Sequence, residues 1–164
     1  MFTAGGFIPL CLKDLPTQKY NDIDIWIFGN DSEKTFNILI KIIKSFLRIQ
    51  KKNEYYITIN KSIVSIHLKN EMSLQLIYTD KKNPIDIISD FDFDYLQSFY
   101  LNNKLYLSTQ SIKCYTTSYT NFLKDFKNIS PTRIMKTLEK GFKIQNLENI
   151  IHSEDLLKNN ENWI

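Results

Sequence analysis

Asp22 and Asp24 lie in the stretch "NDIDIWIFG", where each acid alternates with an isoleucine. A period of two is the pattern of a strand, so both carboxylates face the same way. At a rise of roughly 3.3 Å per residue their Cα atoms stand ~7 Å apart. Like charges at that range raise each other's pKa and cost stability unless a cation lies between them. The chemistry such a pair invites is the holding of a cation. Upstream, Gly5 and Gly6 open the apolar run "FIPLCLK", which reads as a short helix. A Gly pair by itself is ordinarily a turn, and Asp-Ile-Asp by itself is ordinarily a strand with one solvated face. Here the same face also carries Trp26 and Phe28, so the strand is not simply polar on one side.

The elements that must position these residues follow from caps and periodicity. "GNDSEK" marks a turn and a helix start, with Asp31 or Ser32 as the N-cap and Glu33 near the positive end. Phe36, Leu39, Ile40, Ile43, Phe46 and Leu47 then follow a helical rhythm, predicting an amphipathic helix over about 32–50 laid on a sheet. "YYITI", "SIVSIHL" and "SLQLIYT" read as three strands, with a tight turn at "NK" between the first two. "NPIDIISDF" reads as a short helix with Pro84 in its first turn. "YLQSFYL" and "KLYLS" form a hairpin around Asn102 and Asn103, since Asn tolerates left-handed backbone. From Thr109 the chain turns helical, although "YTTSYT" is a weak helix former. "SPTRIMKTLEKG" is a helix with Ser130 as cap, Pro131 at the first position and Gly141 as stop. A last helix is expected through "NLENIIHSEDLLK". The expected class is α+β: a head over residues 1–109 with a mixed sheet and packed helices, and a small helical extension over 110–164.

Composition narrows the function classes. At 164 residues the chain can bury one real core but not two full-sized ones. Its hydrophobic share of 43% and charged share of 24% are those of an ordinary globular protein. The net charge of +3 is spread over scattered lysines rather than gathered in a stripe, which permits a nucleic-acid partner without announcing one. Two distant cysteines, Cys11 and Cys114, argue against a disulfide framework; a reducing, cytoplasmic or similar intracellular compartment fits better, with Cys11 as a small core residue. No run approaches the ~20 apolar residues of a membrane span. His67 and His152 have no acid or Cys cluster at metal-ligand spacing and read as packed or surface residues. Phe91, Phe93, Tyr95, Phe99 and Tyr100 read mostly as core.

Gly5-Gly6 before a helix, then Asp22-Ile23-Asp24 on a strand, resembles the signature of the nucleotidyltransferase fold shared by tRNA nucleotidyltransferases, poly(A) polymerases and DNA polymerase beta. Two later stretches agree in order. "DFDFDYLQSFYLNNKLYL" looks like the segment of tRNA nucleotidyltransferases in which an Asp-Phe motif leads into a strand and hairpin. "SPTRIMKTLEKGFKI" resembles their Pro-x-Arg-Ile-x-Arg helix ending in Gly-Phe, which sets Arg133 and Lys136 where the family keeps basic residues near the nucleotide. The resemblance spans residues 4 to about 144.

The resemblance implies a nucleoside triphosphate as substrate and Mg²⁺ or Mn²⁺ on Asp22 and Asp24, with the Gly pair admitting the triphosphate close to the backbone. It implies transfer of a nucleotide to a hydroxyl on RNA, protein or a small molecule. The chain departs from the family in two ways. The spacer between Gly6 and Asp22 is slightly long, and Gln75 stands where a third carboxylate is expected. Asp92 or Asp94 would then supply the missing acid, Asp92 as a catalytic carboxylate and Asp94 beside the nucleotide. Two readings stay open: a minimal nucleotidyltransferase, or a degenerate module of that fold that binds a nucleotide or a partner without turnover. A chain this short also leaves acceptor choice to a partner subunit.

Overall fold

The computed structural model describes residues 1–13, 22–29, 31–49, 55–69, 73–125, 128–145 and 147. The expected last helix, with His152, lies outside them. The first half of the chain forms β1 (Phe2–Ala4), α1 (Phe7–Lys13), β2 (Asp22–Phe28), α2 (Ser32–Ile49), β3 (Tyr55–Asn60), β4 (Ile63–Leu68) and β5 (Ser73–Thr79). The second half adds α3 (Pro84–Ile88), a 3₁₀ turn (Asp94–Leu96), β6 (Ser98–Leu101), β7 (Lys104–Leu107), α4 (Thr109–Thr117), β8 (Tyr119–Thr120), α5 (Pro131–Glu139) and β9 (Lys143–Ile144).

Seven strands form one sheet in the order β3-β4-β5-β2-β1-β6-β7, with β2 at its centre. The sheet is mixed. β2 runs parallel to β5, and its other neighbour β1 is antiparallel. The architecture is α+β, as the sequence led us to expect. β1 was not anticipated. It has three residues, too few for an alternation to register, yet Ala4 pairs with Asp24 on one side and Phe99 on the other. It therefore ties the hairpin β6-β7 to the acid-bearing strand.

The two faces of β2 have separate fates. Ile25 and Ile27 join Leu39, Ile42, Ile43 and Phe46 of α2 and the apolar residues of β3, β4 and β5 in one core. On the opposite face Trp26 and Phe28 pack with Phe2, Ile87, Phe91 and Phe99, leaving Asp22 and Asp24 at the strand's open end. Helix α2 is capped by Asp31, whose carboxylate accepts the Lys34 N–H at 3.0 Å. Its buried stripe is rotated from the one expected: Phe36 and Leu47 are exposed, while Thr35 is buried and donates to the Asp31 carbonyl at 2.7 Å. Two overlapping stripes were available to the periodicity. The fit of Thr35 over Gly29, where a Cβ would lie 2.7 Å from its hydroxyl, selects one.

The β3-β4 turn falls at Lys61-Ser62, one residue later than expected, with Lys61 left-handed. Asn102 and Asn103 both have positive φ, as the β6-β7 hairpin requires. Tyr95 and Leu96, expected in a strand, lie in the 3₁₀ turn instead. Ser130 occupies the N-cap position of α5 but contributes its carbonyl rather than its hydroxyl, accepting the Arg133 N–H at 2.9 Å. Cys114 is buried and Cys11 is exposed. The expectation of a buried Cys11 fails because α1 is apolar all round, so periodicity could not say which side faces inward. Among the described residues no helix is long and apolar enough to cross a membrane.

The C-terminal elements share a third core of Phe93, Tyr95, Cys114, Ile129, Phe142 and Ile144. Within it the Tyr95 and Phe142 rings stack at 4.3 Å, and the Tyr95 hydroxyl meets Thr137 of α5 at 3.1 Å. Lys13 at the end of α1 donates to the Gly141 carbonyl at 2.9 Å and lies over the Phe142 ring. Phe142 thus holds α5 against the rest of the molecule from several directions. Replacing it with Ala should cost about 3–5 kcal/mol, the usual toll for emptying a buried aromatic site. Urea unfolding of the two proteins measures this; a loss below about 1 kcal/mol would mean that the cluster does not anchor α5.

Candidate active site

Parallel pairing puts Asp24 opposite Gln75, and Asp22 opposite Ser73. The carboxylates thus emerge from a central strand whose neighbours on both sides are fixed by sheet register. Gln75 reaches across and donates its amide N–H to Asp22 at 3.4 Å. It acts on the acid as a donor, not as a metal-facing oxygen.

The glycine pair closes on Asp24. Gly5 has φ +94°, a conformation that glycine adopts without strain. A Cβ there would lie 2.4 Å from an Asp24 carboxylate oxygen. Gly6 serves a different neighbour: a Cβ on it would lie 2.6 Å from the Lys140 Nζ. One turn therefore carries a carboxylate against its first glycine and an ammonium against its second. The first approach requires a residue without a side chain, whereas the neighbour of Gly6 is the tip of a flexible lysine.

Gly5, Gly6, Asp22, Asp24, Arg133 and Lys136 line a single cavity of about 510 Å³, together with Gln75, Asp92, Lys124 and Lys140. Asp92 is buried, and its carboxylate is held by two cations, Arg133 and, at 3.3 Å, Lys124. It serves to fix Arg133 in the wall of the cavity. Asp94 is buried as well but is not part of the cavity lining; its carboxylate accepts from Asn121 at 2.9 Å. Among the described residues, no three of His, Cys, Asp or Glu come together in a group able to hold a metal. The acid pair stands without a third ligand of that kind. His67 bonds Ser73 and Thr58 through its two ring nitrogens and stacks on Tyr56, a packed residue as expected.

Burial is the main reason that the Asp24 carboxyl is pushed up to about 7, and the Asp22 charge adds to it. Lys140, then Arg133 and Lys136, pull in the other direction. Lys140 is itself driven below the ordinary lysine value by burial, against the pull of Asp22. It escaped the reading of the sequence because it follows the last turn of α5. The spacing Arg133, Lys136, Lys140, at three and then four residues, was nevertheless a legible signal that all three share a helix face.

A model for the family "Gad2: Gabija anti-defense 2 family protein" matches residues 1–117, which include the Gly pair, both acids and Gln75. The chain belongs to the Gad2 family. No curated protein sequence matches it. Among solved structures, this Gad2-family chain is similar to the Thermotoga maritima CCA-adding enzyme complexed with tRNA, at 17% identity and a TM-score of 0.61, over 92% of this chain and 36% of that one. It is similar to a CCA-adding enzyme in complex with CTP at 14% identity and 0.64, over 96% and 38%. A complex with ATP matches at 19% and 0.63, over 96% and 39%. The fold is that of the nucleotidyltransferases, as the resemblance implied, and the chain spans about two fifths of the length of these enzymes.

Two outcomes follow from the geometry. Between pH ~4 and ~7 the folded Gad2-family chain keeps a proton on Asp24, raised from 3.8 to about 7, that the unfolded chain has lost. Stability therefore falls as pH rises through that window and levels off above it. Asp24→Asn removes the effect, so the variant should exceed the wild type by roughly 2–4 kcal/mol at pH 8 and by little at pH 4. Denaturant melts at several pH values check this, and an equal gap at both ends would refute it. Gly5→Ala places a methyl group on the Asp24 carboxylate at a positive φ; it should destabilise by more than about 1 kcal/mol, and calorimetric melting reads that loss.

Proposed function

We propose that this chain is an anti-defence protein that works by nucleotidyl transfer, moving a nucleotide from an NTP to a hydroxyl group. One observation carries the reading. Asp22 and Asp24 sit on one strand face against a Gly turn, in a cavity whose remaining wall supplies Arg133, Lys136 and Lys140. Anti-defence is the role in the family's description, and the resemblance of the fold supplies the reaction class. Complexes of the similar CCA-adding enzymes with CTP, ATP and tRNA support an NTP as donor and leave RNA among the acceptor classes.

The donor set suits a divalent ion of the Mg²⁺ kind. Such an ion commonly takes one or two carboxylates and completes its shell with substrate phosphates and water, so an acid pair lacking a third carboxylate is sufficient. When bound it would neutralise charge on the reacting phosphates and lower the pKa of an attacking hydroxyl. The chain's own residues do the rest. Gly5 and Gly6 leave room for phosphate oxygens beside the backbone. Arg133, oriented by Asp92, and Lys136 balance the charge of the leaving pyrophosphate. The acceptor oxygen bonds to the α-phosphorus, the bond from that phosphorus to the bridging oxygen breaks, pyrophosphate departs, and the hydroxyl proton passes to solvent.

A second reading has a specific observation behind it. Gln75 gives Asp22 a hydrogen bond where the family's third carboxylate is expected, which favours a module that binds nucleotide without turning it over.

Thermal melts with each of the four NTPs and Mg²⁺ test the site. The wild type should gain about 2.7 kcal/mol at a hundredfold excess over Kd, and Asp22→Asn or Asp24→Asn should gain none. Incubation with α-labelled NTPs, Mn²⁺ and cellular RNA or cellular protein then separates the two readings. Label in either fraction together with released pyrophosphate supports transfer; stabilisation without label supports the binding module. No stabilisation by any NTP would end both.

A further inference from the structure

Lys140 differs from the other cations of the cavity. Arg133 is tied to Asp92, and Lys136 is exposed on the helix surface. Lys140 is half-buried, and its Nζ rests on the Gly6 backbone, adjacent to the Gly5 backbone that faces the Asp24 carboxylate. We infer that Lys140 is a displaceable counter-ion that couples metal binding to nucleotide binding. Its ammonium balances the Asp22–Asp24 pair when no nucleotide is present and moves onto the triphosphate when one arrives. The inference rests on the nucleotide-site reading above.

Three features of the structure lead there. First, the position occupied by the ammonium is the one that the missing side chain of Gly6 opens, which is where a phosphate oxygen would come closest to the backbone. A phosphate and the ammonium in its present place compete for the same space. Second, Lys140 lines the same cavity as Asp22 and Asp24, so a divalent ion held by the two acids would repel its ammonium, and metal and Lys140 would compete as counter-charges of the pair. A polyphosphate resolves both conflicts by giving Lys140 a new anionic partner and completing the metal's shell. Third, the backbone beneath Lys140 is fixed while its head is not. The Lys140 N–H bonds the Lys136 carbonyl at 3.2 Å, and the next carbonyl, that of Gly141, is held by Lys13 at 2.9 Å. From that anchor a flexible four-carbon stem can swing the ammonium without unfolding the cap.

The consequence is a site that discriminates against metal alone. Free divalent ion must expel Lys140 with nothing to receive it, whereas metal and nucleotide arriving together exchange partners with it. Calorimetric titrations with Mn²⁺ alone, and with ATP, CTP, GTP and UTP in the presence of Mg²⁺, read the two halves separately. Lys140→Met should bind Mn²⁺ alone about tenfold more tightly than the wild type, since a competing charge is gone. It should bind the NTP that the wild type prefers about tenfold more weakly, since a charge-assisted contact to phosphate is lost. Lys140→Arg keeps the charge and should stay within about threefold of the wild type in both titrations, which also separates the effect from any loss of fold in the Met variant. Opposite shifts in the Met variant support the coupling, because a merely structural lysine would move both affinities the same way. Shifts of one sign, or none, in a chain whose wild type binds an NTP overturn the role of Lys140 and leave the nucleotide site standing. A wild type that binds none of the four NTPs removes the nucleotide site and this coupling with it.

Discussion

Two carboxylates held two residues apart on one face of a central strand repel each other, and neither can move away. β2 is paired on both sides at Asp24 and with β5 at Asp22, so the directions of the two acids are set by sheet register rather than by side-chain choice. Burial is the larger reason for the raised proton affinity of Asp24, and the repulsion from Asp22 adds to it. The repulsion is offset in three ways: by a neutral amide from Gln75, by the proton that Asp24 itself retains, and by the cations of α5. None of the three abolishes it. Tolerating an arrangement that costs stability is what a functional site is expected to do.

The cations come from the far end of the chain, so their placement depends on tertiary packing. Helix α5 is held by the Tyr95–Phe142 stack, the Tyr95–Thr137 contact and the clasp of Lys13 on Gly141. The last of these joins α1, which begins just after the Gly pair, to the stop of the helix that carries Arg133 and Lys136 and ends at Lys140. The turn that faces Asp24 and the residue that follows α5 are thereby part of one mechanical unit. Asp92 extends the same logic: a buried carboxylate between two cations would be expensive to leave unpaired, so it holds Arg133 firmly.

Local signals in the sequence were enough for most elements. β2 is found from Asp22 to Phe28, where alternation ended it, and the Asn102-Asn103 hairpin and the Pro131-to-Gly141 helix follow their turn and cap residues. What was not legible required knowledge of partners. β1 has too few residues to show a period and exists because β2 and β6 offer it edges on both sides. The rotated stripe of α2 depends on the fit of Thr35 over Gly29, a contact with no sequence period. At the site, strand alternation alone puts Asp22 and Asp24 on one face, whereas Gly5 reaches Asp24 through the β1–β2 pairing. The opposed directions of Asp92 and Asp94 follow from no such alternation. Asp92 lies in a bend and Asp94 opens the 3₁₀ turn two residues on, so no strand or helix period fixes their directions, and their partners Arg133 and Asn121 distinguish them.

The two halves of the site are also recorded differently by kinship. The Gad2 match ends at residue 117 and so covers the acids and the glycines but none of α5. The likeness to CCA-adding enzymes extends over more than nine tenths of the chain, at an identity too low to speak for more than the fold. Thus the acid half is written in residues whose spacing a family model can recognise, because sheet register converts spacing directly into position. The cationic half depends on packing: the seating of α5 on Tyr95 and Phe142 brings position 140 near Gly6, and the lysine there supplies the charge. A site assembled from one half fixed by register and another fixed by packing puts its acids under local control and its cations under tertiary control. On the nucleotide-site reading proposed above, the lysine against the glycine turn is therefore a place where binding of nucleotide would be tuned.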